Sequence, residues 1–283
     1  MGSITCDRVS ELKAFDDTKA GVKGLVDAGI TTIPQIFIQD HHTKYKFDDK
    51  PICRDPKISI PIINLQRIHK DSSLRSQVID QIRSACEEWG FFQVINHGIP
   101  TSILDQAVDG IRRFFEQDVE RDNDHIQQPN VENIGCVEEM TIGNSYYPEC
   151  PQPELSIGIA THSDPGFVTV LIQDQIGGLQ VFHEDQWFDI APVPGALVLI
   201  TNDKFKSAYH RVLSNKEGSR ISIGSFFMNN SCSRRYGPIK ELLSEVNPPL
   251  YPEITLKDIY NNQSLKNNEL SALDKLKLAS QSG

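Results

Sequence analysis

His162-Ser163-Asp164 and His210 are residues of the right types to hold a metal ion. On an extended segment residues i and i+2 point to the same face. The imidazole of His162 and the carboxylate of Asp164 can therefore grip one ion together. A third ligand must come from another strand, and His210 lies in the hairpin-like stretch Tyr209-His210-Arg211-Val212. Two histidines and one carboxylate make the facial triad of non-haem iron(II) oxygenases, which leaves three positions open for a bidentate cosubstrate and O2. Zinc catalysis is the competing chemistry, although a zinc hydrolase would usually add a positioned general base. H-x-D alone is short enough to arise by chance, so the reading needs further features.

Arg220-Ile221-Ser222 begins ten residues after His210, at the start of an alternating run. Arg220 and Ser222 share one face, and Ile221 and Ile223 share the other. An arginine pointing into a barrel is costly unless it meets an anion. Its guanidinium matches a carboxylate in bidentate fashion, with a hydroxyl alongside as a further donor. The pair suits the distal carboxylate of a dicarboxylic keto acid; an edge-strand arginine in a surface ion pair is the alternative. Upstream, Ser145-Tyr146-Tyr147-Pro148 places a tyrosine pair before a proline-rich turn. A tyrosine hydroxyl of this pair could add a hydrogen bond to the same anion, while composition alone favours buried packing.

These residues need strands to carry them. From about Thr141 the apolar period moves towards two, and short strands are expected at 168–173, 178–182, 187–190, 196–200, 209–213 and 220–227. Turn signals such as Ile176-Gly177-Gly178 and Pro192-Val193-Pro194-Gly195 separate them. Many short strands with regular turns indicate a sandwich or jelly roll. Upstream, 58–63 reads as a short strand. A helix follows on the face Leu74, Val78, Ile82, Ala85, Cys86 and Trp89, with Ser72 or Ser73 as its cap and Gly90 at its end. Phe91–Ile95 reads as a buried strand, and Thr101 as the cap of a second helix through Leu104, Val108 and Phe115. Residues 236–246 read as helical, and a short helix is expected near Val9–Asp16. The fold class is mainly β with flanking helices, a sandwich or jelly-roll core and an N-terminal helical region.

The chain carries 28 basic and 38 acidic residues, a net charge of −10. That balance disfavours nucleic-acid backbones and anionic membranes. No apolar run is long enough to cross a bilayer, and the N-terminus lacks the pattern of a secretory signal. The six cysteines are scattered without a C-x-x-C pair, which suits reduced thiols in the cytoplasm. A monomer that binds a small-molecule substrate is expected.

YYPECPQP, H-x-D, GGLQVFHEDQWFDIAPVPGALV, NDKFKSAYHRVLSN and R-I-S-I-x-S-F-F follow in that order, with EEWGFFQVINHGIP upstream. Together they resemble the plant iron(II)- and 2-oxoglutarate-dependent dioxygenases. VLIQDQIGGLQV and SALDKLKL resemble the branch called 1-aminocyclopropane-1-carboxylate oxidase homologues. The resemblance implies a double-stranded β-helix core, with His162, Asp164 and His210 as iron ligands. Arg220 and Ser222 would hold 2-oxoglutarate, helped by Tyr147. It implies Fe(II), 2-oxoglutarate and O2 as reaction partners, ascorbate as a candidate reductant, and hydroxylation or demethylation of a small organic, specialised plant metabolite. Phe226, Phe227 and the 164–167 turn would help shape its pocket. His97 matches a structural turn, and His183 has no implied role. On this basis the chain divides into an extension (1–56), a dioxygenase N-terminal region (57–120), a shortened linker (121–139), the jelly-roll domain (140–245) and a tail (246–283).

The chain departs from the family pattern in two places. Typical members are longer between Phe115 and Gly135, and they carry about one turn more before His210. The expected consequences are exposed apolar surface on the barrel and a displaced His210, since a metal ligand tolerates errors of only about 0.2 Å. A non-catalytic or misassembled shortened member is therefore an alternative. A ring-forming oxidase that uses ascorbate in place of 2-oxoglutarate is another.

Overall fold

The computed structural model describes residues 4–38, 48–55, 58–117, 140–164, 168–201, 208–227, 235–238, 243–245, 248–249 and 252–255. Helices α1 (Ile4–Asp17) and α2 (Gly21–Asp27) come first. Strand β1 (Ile62–Asn64), helix α3 (Ser72–Glu88), strand β2 (Phe91–Ile95) and helix α4 (Thr101–Glu116) follow. The jelly-roll strands are β3 (Met140–Tyr147), β4 (Ile157–His162), β5 (Val168–Gln173), β6 (Leu179–His183), β7 (Gln186–Asp189), β8 (Leu197–Thr201), β9 (His210–Leu213) and β10 (Arg220–Phe227). Two-residue strands β11 (Arg235–Tyr236) and β12 (Ile254–Thr255) pair with each other.

The strands form a six-stranded sheet, β1-β2-β8-β5-β10-β3, and a four-stranded sheet, β4-β9-β6-β7. Their facing surfaces share one core: Phe91, Val198 and Ile200 from the large sheet meet Leu179, Val181, Phe188 and Val212 from the small one. This is the double-stranded β-helix. Adjacent residues of a strand face opposite ways, and β2 illustrates it. Phe91 points into that core, whereas Phe92 and Val94 point outward to a second core under Val78, Ala85 and Cys86 of α3 and Leu104 of α4. Burying a phenylalanine such as Phe91, which has 0% exposure, contributes about 1.5–3 kcal/mol.

Some local expectations need correction. Asp71 caps α3, its carboxylate accepting from the Ser73 and Leu74 N–H groups; Ser72 and Ser73 do not. Aspartate reaches two orphan donors at once from the position before the first turn. Thr101 begins α4 without capping it, since Pro100 holds the cap position and makes no side-chain bond. Gly90 does close α3, at φ 68°. The expected 236–246 helix is absent among the described residues: Tyr236 is in β11, and 243–245 are not helical. The apolar pattern there is too short to distinguish a helix from an edge strand. The expected strand at 58–63 is confined to Ile62–Asn64. His41, His42 and the 121–139 segment lie outside the described residues.

The segment before β1 packs beside the small sheet. The Cys53 N–H donates to the Trp187 carbonyl (2.8 Å), and the Trp187 N–H donates to the Pro51 carbonyl (2.9 Å). An isolated parallel bridge joins Ile52 to Trp187. Residues expected to form part of an irregular extension thus extend β7 edge-on.

Candidate metal centre and anion site

His162 ends β4 and His210 begins β9, and the two are direct partners across the ladder. Asp164 follows two residues after His162, just beyond the strand. The Asp164 Oδ1 lies 3.7 Å from His162 Nε2 and 3.6 Å from His210 Nε2. One ion with bonds of about 2.1 Å can bridge atoms up to about 4.2 Å apart, so the Asp164 Oδ1 can share an ion with each histidine, and the ligand atoms of all three lie within 4.8 Å of one another. Among the described residues no other group of three His, Cys, Asp or Glu side chains gathers its ligand atoms in this way. The expected displacement of His210 does not occur.

The surrounding bonds aim the right atoms inward. His162 Nδ1 bonds the Ala160 carbonyl (2.8 Å), and His210 Nδ1 bonds the Ala208 carbonyl (3.1 Å). A carbonyl only accepts, so each Nδ1 carries the hydrogen and each Nε2 keeps its lone pair for a metal. The Thr169 hydroxyl donates to Asp164 Oδ2 (2.6 Å), which leaves Oδ1 facing the histidines. Phe91 packs edge-on against His210 at 5.2 Å. Burial, and after it the neighbouring His162, push the pKa of His210 down to about 4, against the opposing pull of Asp164. His210 is therefore neutral at pH 7, the form that binds metal. His162 is half-exposed, while Asp164 and His210 are buried, so the triad opens on one side.

The second cluster lies deeper. Arg220 has 0% exposure. Its Nε donates to the Gly177 carbonyl (2.7 Å), Nη1 to Ser222 Oγ (3.0 Å) and Nη2 to Gln173 Oε1 (3.2 Å). Tyr147 stands opposite Arg220 in the β3–β10 register, and the guanidinium carbon lies 5.1 Å from its ring centroid. Burial lowers the pKa of Arg220 from its usual value, with Tyr147 and Asp174 opposing. The acceptors bonded to this guanidinium are neutral. Beside them the amide nitrogen of Gln173 is buried without a hydrogen-bond acceptor. A buried cation and an unmatched donor side by side fit an incoming carboxylate.

Sequence reasoning singled out the triad, Arg220, Ser222 and Tyr147, and the structure brings them to these two clusters. It missed Gln173, Thr169 and the buried Asp174, whose carboxylate accepts from the Ile221 N–H (2.6 Å) and the Ile176 N–H (3.1 Å). Thr169 and Gln173 share a face of β5, and only the pairing of β5 with β10 puts that face beside Arg220 and Ser222; Asp174 follows the strand. His97 bonds the Gly195 carbonyl (2.9 Å) and accepts from the Ile99 N–H (3.2 Å), a turn-holding pattern. His183 stacks on Trp89 at 4.1 Å. Phe226 lies over Gly143 and Gly224, where an added Cβ would come within 3.2 and 3.0 Å of its ring.

Two family models match the chain: the 2OG-Fe(II) oxygenase superfamily over residues 138–229, and the non-haem dioxygenase in morphine synthesis N-terminal region over 60–146. Deacetoxyvindoline 4-hydroxylase of Catharanthus roseus is 40% identical, the match covering 89% of this chain and 84% of that protein. The 1-aminocyclopropane-1-carboxylate oxidase homolog 12 of Arabidopsis thaliana is 38% identical, with 90% and 93% covered. The chain belongs to the 2-oxoglutarate- and iron(II)-dependent oxygenases and is a non-haem iron dioxygenase of the plant type. The crystal structure of JOX2 in complex with 2OG, Fe and JA superposes with a TM-score of 0.71 at 23% identity, covering 91% of this chain and 97% of that one. End to end the chain is not strongly shortened relative to these relatives, which corrects that expectation. Each alignment runs over 342 positions, more than the 283 residues of the chain, so the residues it lacks fall inside the matched stretch.

Proposed function

We propose that this dioxygenase hydroxylates or demethylates a small organic molecule of specialised plant metabolism. In this reading His162, Asp164 and His210 hold Fe(II), and Arg220 with Ser222 receives the distal carboxylate of 2-oxoglutarate, Tyr147 assisting. The observation that carries it is the pairing of the two clusters. A triad whose two Nε2 atoms lie 3.7 and 3.6 Å from the Asp164 Oδ1 stands on strands of the same barrel as a fully buried arginine bonded to neutral acceptors. Bound Fe(II) would supply activation of O2, coupled to oxidative decarboxylation of 2-oxoglutarate to succinate and CO2. The protein's own part is to orient the cosubstrate, neutralise its carboxylate and keep water from the buried side. The substrate would enter past the half-exposed His162, with Phe226 as a wall; Phe227, its neighbour on β10, faces the other side of the sheet and drops out of the expected pocket. An acidic surface suits a cytoplasmic monomer that binds neither nucleic acid nor membrane.

The relatives direct the choice of test compounds: deacetoxyvindoline, named for the Catharanthus roseus relative, and JA, the molecule in the JOX2 complex. With Fe(II), 2-oxoglutarate and O2, succinate formation should rise on addition of a substrate, and the product should gain one oxygen or lose a methyl group. Turnover with ascorbate and no 2-oxoglutarate would instead indicate the ring-forming oxidase. No succinate from the metal-loaded protein, with or without a substrate, would support the non-catalytic reading.

A further inference from the structure

Behind the metal triad, on the opposite face of the small sheet, lies a buried polar network that the site description does not use. Thr161 immediately precedes His162, and Arg211 immediately follows His210. Because strand neighbours alternate faces, both side chains point away from the triad. They meet at one carboxylate, that of Asp48. Thr161 Oγ1 donates to Asp48 Oδ1 at 2.5 Å. Arg211 Nη1 lies 3.6 Å from the same Oδ1 and donates to the Asp48 backbone carbonyl at 3.2 Å. The Asp48 side chain is 4% exposed and that of Arg211 9%; Thr161 is 1% exposed. The guanidinium of Arg211 is fixed further by Gln180 Oε1, which accepts from its Nε (2.8 Å), and by the Trp187 ring, 4.0 Å away. Gln180 is held in turn by Asp189 (2.8 Å).

The β4–β9 ladder itself is a weak spacer. Its register shifts between Ile157 and Ile159 and again between Ile159 and His162. A ladder interrupted twice in six residues does not by itself fix the separation of the two imidazoles at its end. We infer that Asp48, from the segment before the dioxygenase fold, is a positioning residue that ties the backs of β4 and β9 together and so sets the spacing of His162 and His210. Local sequence could not suggest this, because Asp48 lies 113 and 163 residues from its partners. The inference rests on the metal-binding reading above.

The test uses the full chain and Co(II), whose visible absorption reports binding at the triad without turnover. Thr161→Val removes the hydroxyl while keeping shape and leaving the buried Asp48–Arg211 pair intact. Thr161→Ser keeps the hydroxyl, and Asp48→Asn keeps shape but not charge. Loss of an outer hydrogen-bonding partner typically weakens metal binding about 10–100-fold. Thr161→Val should fall in that range, with Asp48→Asn also weakened and Thr161→Ser close to wild type. Melting curves of the metal-free proteins separate this from general destabilisation: the affinity loss should persist at temperatures where every variant is folded. Wild-type affinity in Thr161→Val, or the same loss in Thr161→Ser as in Thr161→Val, would overturn the inference. Failure of the wild-type chain to bind Co(II) would instead overturn the metal reading on which it stands.

Discussion

Arg220 has no exposed surface, and its guanidinium bonds a carbonyl, a hydroxyl and a side-chain amide, all neutral. A carboxylate arriving there would gain a charge-assisted, bidentate partner already held in place. Arg220→Ala should therefore weaken 2-oxoglutarate binding by about 30-fold or more, corresponding to about 2 kcal/mol, with Fe(II) affinity little changed. Titration of 2-oxoglutarate at saturating metal checks this; an unchanged Kd would place the cosubstrate elsewhere. At this scale the sequence was legible where chemistry repeats at short spacing. His162 and Asp164 are two residues apart, as are Arg220 and Ser222, and an extended backbone puts each pair on one face. Gln173 and Thr169 were not legible, because an isolated amide or hydroxyl on a strand carries no spacing signal until its neighbour strand is known.

The elements that hold these residues differ in how plainly their sequences specify them. β2, β5 and β8 lie where alternation and flanking turns place them, since each has one face on each of two cores. β4 was not expected as a strand: Ile157-Gly158-Ile159-Ala160 is short, small and partly exposed. The 236–246 region went the other way: a few apolar residues suggested a helix, but Tyr236 ends β11 and 243–245 are not helical. Helix α3 is specified more firmly, by its apolar stripe, by Gly90 and by its cap. The Asp71 carboxylate accepts two backbone N–H groups at 2.9 and 3.0 Å. Asp71→Ala should cost about 1 kcal/mol and lower the melting temperature by about 2–4 °C. Asp71→Ser should recover most of that loss, as thermal denaturation would show; equal melting of Asp71→Ala and wild type would mean that the cap contributes nothing.

At the scale of the whole molecule, the two sheets, the helices over the large sheet and the 48–53 segment beside the small one together present one face of each ligand strand to the metal site. The family's repeated motifs made the jelly roll legible. The position of the N-terminal segment was not, since contacts across more than a hundred residues leave no local period. The chain lacks residues inside the matched stretch, and two apolar side chains of the large sheet stand exposed. Ile142 and Phe227, on the outer face of the large sheet, are 56% and 40% exposed. His210 nevertheless stands opposite His162 in the ladder, so the triad assembles without them. Among the described residues no helix is long and apolar enough to cross a membrane.

The central claim is that the triad and the arginine site act together on one chelated cosubstrate. Its most direct test is anaerobic addition of Fe(II) and 2-oxoglutarate to the purified full-length protein, followed by visible absorption. The account predicts a charge-transfer band that is abolished in His210→Ala and, at subsaturating 2-oxoglutarate, weakened in Arg220→Ala. Absence of the band in wild-type protein whose circular dichroism shows it folded would contradict the account.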